Sequence, residues 1–594
     1  MSTTDEAGAT GSGGGAPSPP SRGSGGWQRA ARRYGPFAAI AVVVAAVAIA
    51  FGGGGDGDDG VDSGAGDGAT SREELILSGP MTPERAELEG ADDVDFGPNC
   101  DPETGRLMLP TVLAPPCVEP FEGDNGGATS PGVTEDTVKI VYYQADPALN
   151  PLVAATAGGA GAQVDPESAR RTVRGFVDLY NEMFETYGRT VEVEVFVGSG
   201  AGDDEAAARA DAIEIAEKEP FAVIGGPQQS SPVFAAELAS RGIVCGMNCA
   251  QALPETIVEE YEPLLWQLGP TPDQAVALAA EIIGNLAGPG TEAELAGDPA
   301  MREQERVYGL LHYDTPDGDH RPVMDEFTAQ LEEQGIELAT DVDFTLDLAQ
   351  AQENARTIIS RLKDEGVTTV LYYGDPFTPG PLTTEATAQE YRPEWILGPN
   401  LLMDTTIFAR LTDGEQWRNG FGMSFVNARG ERSTNGAFRI YEWAYGEPPP
   451  HTSVNILEPP VRHIFTGIHL AGPELTPETF RDGQFRYPVS GGGPTVPQVS
   501  AGDQGVWPEM DWGGIDDATL IWWDPEASGE DEVGNQGEGM YRYANGGERY
   551  TLGDFPESIE EAGLFDVESS VIVYDELPAE DQPPDYPSPN LTPP

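Results

Sequence analysis

From Gly132 to about Leu397 the chain repeats one unit: a short β-branched and aromatic run, a turn, then a longer amphipathic segment. Val138-Lys139-Ile140-Val141-Tyr142-Tyr143 reads as a buried strand. Asp165-Pro166 opens a helix with Val173, Phe176, Val177, Tyr180 and Phe184 on one face, and Gly188 ends it. A strand over 191–197, a helix over 203–218, a strand over 221–224, a helix over 231–240 and a strand at 243–244 follow. After Asp273 the cycle returns: a helix to about 286, then strands over 307–311, 341–344, 370–373 and 395–397 with helices over 323–334 and 349–365 between them. Such alternation leaves room for parallel sheets with both faces covered by helices, and for little else. In these sheets ligands gather beyond the carboxyl ends of the strands. That rule points to the loops after Tyr143, Ile224, Val244, Leu311, Tyr373 and Leu397.

Charge removes whole classes of partner. With 32 Lys and Arg against 100 Asp and Glu the net charge is −68. Phosphate neutralisation needs clustered cations, so nucleic acid is excluded, as is docking on an anionic membrane through a basic patch. There is no G-x-S-x-G elbow, P-loop, H-E-x-x-H or kinase signature. Gly55-Asp56-Gly57-Asp58-Asp59-Gly60 spells G-x-G-x-x-G, but it follows no strand and its aspartates would repel a pyrophosphate, so it reads as linker. His312, at a strand end, reads as a hydrogen-bonded structural residue, and His463 and His469 lack a third metal ligand nearby. The chain reads as a non-enzyme without cofactor or metal.

Residues 1–36 form a Gly-, Ser- and Pro-rich basic tail that cannot bury enough apolar surface to fold. Residues 37–54 carry an apolar run long enough to span a bilayer, with arginines before it and aspartates after it. Two readings stand: an uncleaved anchor holding the body outside the cytoplasm at the cell membrane, or a signal cleaved near Ala48-Ile49-Ala50 that releases it. Residues 55–130 are an acidic linker ending in the Cys100/Cys117 loop. Four cysteines allow three connectivities. Outside the cytoplasm two local disulfides are expected, Cys100 with Cys117 and Cys245 with Cys249, the longer loop worth on the order of 3 kcal/mol.

Several stretches resemble the type I periplasmic-binding proteins, specifically the substrate-binding component of branched-chain amino-acid ABC transporters. They are Gly132–Ile140 (GVTEDTVKI), Phe221–Ser231 (FAVIGGPQQSS), Arg241-Gly242-Ile243-Val244, Gly366–Gly374 (GVTTVLYYG) and Ile396-Leu397-Gly398-Pro399-Asn400. The resemblance covers roughly 131–480. It implies a two-lobed α/β fold, each lobe a largely parallel sheet with helices on both faces, joined by crossing strands and closing over a small molecule. Residues 131–270 would be mainly the first lobe, 271–425 mainly the second, and 426–524 the closing helices and crossing segments. Residues 525–594 would be an acidic, Pro-rich extension.

Carried over by position, the first-lobe contacts are Gln228, Gln229, Ser230 and Ser231, with Gln251 after the next strand. In the second lobe Tyr313, Asp314, Tyr373, Asp375, Phe377 and Asn400 should face the cleft. Hydroxyls, amides and N–H groups at helix starts hold a carboxylate or polar head, and aromatics bury the apolar part. Amino-acid binders of this family place an acidic residue where Asn400 stands, to pair with the ligand ammonium; a neutral amide there puts amino-acid specificity in question. The bland readings are that Ser230 and Ser231 cap a helix, that one of Tyr372 and Tyr373 is core, and that Asn400 satisfies loop backbone. The implied function is extracytoplasmic capture of a small polar molecule (amino-acid-like, amide or carboxylate) for uptake through an ABC permease. The alternative is a membrane-tethered sensor or scaffold on the same fold.

Towards the carboxyl end, 441–445 and 461–470 read as helices closing the second lobe. Four of the nine tryptophans fall within 507–523 and read as packing, 541–552 as a hairpin about Asn545-Gly546, and the last twenty residues as disordered.

Overall fold

The computed structural model describes residues 71–149, 165–227, 230–250, 252–314, 320–347, 350–399, 402–431, 434, 436–532 and 534–594. The apolar run at 37–54 lies outside them; among the described residues no helix is long and apolar enough to cross a membrane.

The first sheet holds β1 (Thr137–Gln144), β2 (Thr190–Val197), β3 (Ala222–Ile224) and β4 (Val244–Cys245), all parallel in the order β2-β1-β3-β4. The helices α1 (Pro166–Met183), α2 (Glu205–Ala216) and α3 (Ser231–Ala239) alternate with these strands. β1 is central, and its Val138, Ile140 and Val141 are fully buried, as a β-branched run covered on both faces must be. α1 stops at Met183 rather than Tyr187, because Phe184 turns extended (φ −93°, ψ 149°), and Tyr187 and Gly188, both at positive φ (58° and 79°), then turn the chain into β2.

The second sheet begins after α4 (Pro272–Ala287). It gathers β5 (Tyr308–Tyr313), β6 (Leu338–Phe344), β7 (Thr369–Tyr373), β8 (Glu394–Leu397) and β9 (Phe421–Ser424), interleaved with α5 (Arg321–Glu333), α6 (Ala351–Asp364) and α7 (Pro379–Ala388). Then come α8 (Gly436–Tyr445), α9 (Val454–Ala471), α10 (Pro477–Arg486), β10 (Ala518–Glu530), β11 (Gln536–Tyr543) and β12 (Arg549–Tyr550). The sheet order is β11-β10-β9-β8-β7-β5-β6, with β12 also on β10; β5 to β9 are parallel and β10 runs antiparallel to β9. In both sheets the first strand is flanked by the second on one side and the third on the other. Each therefore has a switch point, between β1 and β3 and between β5 and β7.

Helices α8 to α10 do not close the second lobe. They return to the first, where Tyr441, Phe465 and Phe480 share a core with Val173 and Phe176 of α1 and Phe234 of α3. The cause is side-chain matching that local pattern does not reveal: Phe465 stands edge-on to Tyr180 of α1 and to Phe184 just past its end, each at 5.6 Å between ring centres. Glu458 of α9 accepts from Tyr180 and pairs with Arg462 at 2.8 Å, so the buried acid has two partners.

Three segments carry the chain from one core to the other, between Trp266 and Val276, between Ala428 and Ala437, and between Trp512 and Ala518; Trp507 also reaches the second core, and the last residues return from Tyr574 beside the second core to Leu591 beside the first. Asn545 (φ 46°, ψ 41°) and Gly546 (φ 68°, ψ 15°) form the turn expected of that pair. The strand after it, however, joins β10 rather than β11: β11 pairs with β10 only from Ile521 onward, leaving Ala518 and Thr519 to β12. The final segment is held along α8 rather than left free. Arg439 pairs with Asp585 at 2.8 Å, Trp443 Nε1 donates to Tyr586 O at 2.9 Å, and Leu591 N donates to Ala444 O at 3.0 Å. Cys100–Cys117 and Cys245–Cys249 are both disulfides.

Candidate ligand-binding site

The carboxyl edges of the two sheets meet at the hinge. Asp273, at the start of α4, accepts from Glu255 N at 3.0 Å, and Glu255 opens the short helix Glu255–Glu260 that follows β4. Within the second lobe the hydroxyl of Tyr373, the last residue of β7, feels the Asp273 charge, so the start of α4 lies at the carboxyl end of β7. The helix that follows β4 therefore meets the carboxyl end of β7 through the start of α4.

In the first lobe the turn after β3 is packed without slack. A side-chain carbon on Gly226 would stand 2.2 Å from Cys249 O, and one on Gly225 (φ +71°) 2.5 Å from Tyr143 O. Only glycine lets this loop lie against the Cys245–Cys249 loop, whose two cysteines are fully buried. The loop delivers the chain into α3. There neither serine caps the helix: Ser230, the N-cap, turns its hydroxyl to Gly202 O at 2.9 Å. The Ser231 hydroxyl, at 2% exposure, has no hydrogen-bond partner among the described residues. Pro232 contributes no N–H, so the first turn presents the Ser231 and Val233 N–H groups, which have no intrahelical acceptor. A helix N-terminus with an unspent buried hydroxyl is a ready anion seat.

In the second lobe the acidic candidates are committed to their own loops. Asp375 Oδ1 accepts from Phe377 N at 2.7 Å and Thr378 N at 2.9 Å, and its Oδ2 takes Thr378 Oγ1 at 2.6 Å. Burial pushes its carboxyl up against the lowering effect of those donors. Asp314 Oδ1 accepts from His320 N at 3.1 Å, and Asp314 N donates to Phe344 O at 2.9 Å. Tyr372 and Tyr373 are both buried: Tyr372 donates to Asp375 O, and the Tyr373 ring leans on Phe327 of α5. Phe377 packs edge-on to Phe408 and lines a small groove of mixed character with Phe344, Leu346, Ile358, Asp347 and Asn354. Tyr313 stays half-buried, its ring between His320 and Phe344. His312 is fully buried, with Nε2 at 3.0 Å from Asp341. Gln228, Gln229, Gln251 and Asn400 lie outside the described residues. Sequence reading missed Gly226 and Asp404. Asp404 follows β8, takes the Ser424 hydroxyl at 2.6 Å, and has its carboxyl raised to about 6 by burial.

Fold and site together define a two-lobed α/β protein whose paired parallel sheets turn their carboxyl edges toward one hinge. No protein-family model matches the chain, and no curated protein matches it. Many solved structures do, among them type I periplasmic-binding proteins and substrate-binding proteins of branched-chain amino-acid ABC transporters. The leucine-, isoleucine-, valine-, threonine- and alanine-binding protein of Brucella ovis, in its closed conformation, is 12% identical and covers 74% of this chain and 100% of its own, with a TM-score of 0.49. A Rhodopseudomonas palustris ABC-transporter solute-binding protein in complex with 4-hydroxybenzoate is 13% identical over 71% of this chain and 98% of its own, with a TM-score of 0.44. A Desulfitobacterium hafniense ABC-transporter substrate-binding protein in complex with Leu is 12% identical over 70% and 99%, with a TM-score of 0.42.

Proposed function

We propose that the chain is a solute-binding protein that captures a small carboxylate-bearing molecule between its lobes for ABC-type uptake, and that it does no chemistry on it. The observation that carries this is the start of α3, where first-turn N–H groups and the buried Ser231 hydroxyl lie at the carboxyl end of β3. A carboxylate placed there gains charge-assisted hydrogen bonds and the helix dipole. Ser231 would supply the first-lobe wall, with Ser230, Gln228, Gln229 and Gln251 beside it by position in sequence; Tyr313 and Asn400 would meet the ligand from the second lobe. Asp314 and Asp375 hold their own loops, which favours a carboxylate without an ammonium over a zwitterion. The body would work outside the cytoplasm, either tethered by residues 37–54 or released after cleavage; the two disulfides suit that setting.

The test is calorimetric titration of the full chain with 4-hydroxybenzoate, leucine, isovalerate and benzamide. One of the carboxylates should bind, and Ser231→Ala should weaken it by roughly tenfold, the worth of one hydrogen bond to a charged group. Binding of benzamide alone, or binding untouched by Ser231→Ala, would remove α3 as the carboxylate seat.

A further inference from the structure

The third crossing, Gly513 to Asp517, carries a feature the ligand site does not use. It lies directly on the first crossing: Gly514 N donates to Gly269 O at 3.4 Å, and a side-chain carbon on Gly514 would stand 2.5 Å from Leu268 O. Two backbones in contact leave no room for water between them, so whatever charge sits here is felt by the hinge. Three aspartates sit here, and all are buried: Asp511 at 1% exposure, Asp516 at 0% and Asp517 at 2%.

Their partners differ. Asp517 is paired with Arg549 of β12 at 2.8 Å and accepts from Gln498 N at 2.9 Å. Asp511 accepts from Gln274 Nε2 of α4 at 2.8 Å, from Gly513 N at 2.9 Å and from the Ser500 hydroxyl at 3.4 Å. The Gln274 side chain also closes the capping box of α4 with Thr271, so Asp511 ties the third crossing to the helix that begins the second lobe. Neither carboxyl oxygen of Asp516 has a well-formed hydrogen bond among the described residues, although the Ser500 hydroxyl lies close enough to favour its charged form, and this carboxyl lies within hydrogen-bonding reach of Asp511. Two carboxylates cannot hydrogen-bond to each other; one of them must carry a proton.

We propose that Asp511 and Asp516 share one proton and so form a carboxyl pair that locks the third crossing against the first, and that loss of this proton loosens the hinge. Asp516 is the protonated partner, donating to an Asp511 oxygen while Gln274, Gly513 and Ser500 hold the Asp511 charge. Removing the proton sets two like charges side by side in a dry hinge. The wider surroundings reinforce this. Glu255 and Glu259 of the short helix, Asp273 of α4, and Glu509 form an acidic group that reaches Asp511, and Arg549, the cation facing these aspartates, is taken by Asp517. Burial first, then the Asp511 charge, pushes the Asp516 carboxyl up to about 8, and burial likewise raises Asp511. The folded chain therefore keeps a proton that the unfolded chain gives up near the ordinary 3.8. The stability it contributes is full below that value and is lost as pH rises through about 8.

The proposal needs no ligand, and its test uses none. Infrared difference spectra and small-angle scattering of the full chain, with Asp516→Asn and Asp511→Asn, are taken from about pH 6 to about pH 9.5. The wild type should lose a carboxylic-acid carbonyl band with a midpoint near pH 8, and its radius of gyration should rise through the same midpoint. In Asp516→Asn the remaining Asp511 keeps its charge on its own donors, so neither the band loss nor the expansion should appear, and in Asp511→Asn the band loss should move to lower pH because the neighbouring charge is gone while the burial remains. A wild type with no such band to lose, or with a constant radius across the range, overturns the proposal whatever the variants do. Equal expansion in Asp516→Asn overturns it too, assigning the effect to the general acidity of the chain.

Discussion

At the scale of single residues, function and stability are separable. A buried hydroxyl without a partner costs folding free energy, so Ser231→Ala should leave the ligand-free protein as stable as before, or more stable by about 1 kcal/mol. Denaturant unfolding measures this; a loss of more than about 1 kcal/mol would mean that the hydroxyl serves the fold. The buried histidines give a second prediction with a definite sign. His463, between Trp266 and Phe480, is pushed down to about 3 by burial and then by the Arg462 charge. His469 is pushed down to about 4 by burial, although its ring nitrogens meet Glu185 N and Pro116 O. Both are neutral when folded and would protonate near 6.5 when unfolded. The stability they contribute is full above that value and falls as pH drops towards 4 and then 3. His463→Phe keeps the ring in its aromatic pocket and removes the titration. The stability lost between about pH 7 and pH 4.5 should shrink by at least about 1 kcal/mol, and an unchanged loss would contradict this.

At the scale of elements, the site depends on how closely two loops lie. Gly226→Ala would force the β3 turn off Cys249 O, 2.2 Å from the added carbon. It should cost about 1–3 kcal/mol by denaturant unfolding and displace the start of α3, weakening the carboxylate at least tenfold. A variant that binds as tightly as wild type would show that the turn does not set the site. Elements of this kind were legible where the signal is local. The β-branched runs marked β1, β3, β5, β7 and β8, and the spacing of the cysteines marked both disulfides. What a strand end does with its side chains was not legible. Asp375 looks like a cleft residue in sequence, but the two backbone N–H groups that follow it claim its carboxylate. The lobe assignment of α8 to α10 was also invisible, because Phe465 finds Tyr180 and Phe184 across hundreds of residues. So was the order of the final segment: its prolines argue against regular structure, while its place on α8 rests on Asp585, Tyr586 and Leu591 finding partners there.

At the scale of the whole molecule, crossing segments join two cores, and the buried aspartates lie beside the start of α4, where the helix after β4 also meets the second lobe. A chain of net charge −68 has every reason to hold its lobes apart, and a ligand held from both sides must work against that repulsion. Closure would gain from contacts that neither lobe makes alone, and it shifts the population only by that difference in affinity. The most direct test is the scattering radius of the full chain at fixed pH, without ligand and then saturated with 4-hydroxybenzoate, isovalerate or leucine in turn. The account predicts a smaller radius with one of the carboxylates, and in Ser231→Ala the same contraction only at roughly tenfold higher ligand concentration. A radius that stays constant with every one of these ligands would contradict capture of a carboxylate between the lobes.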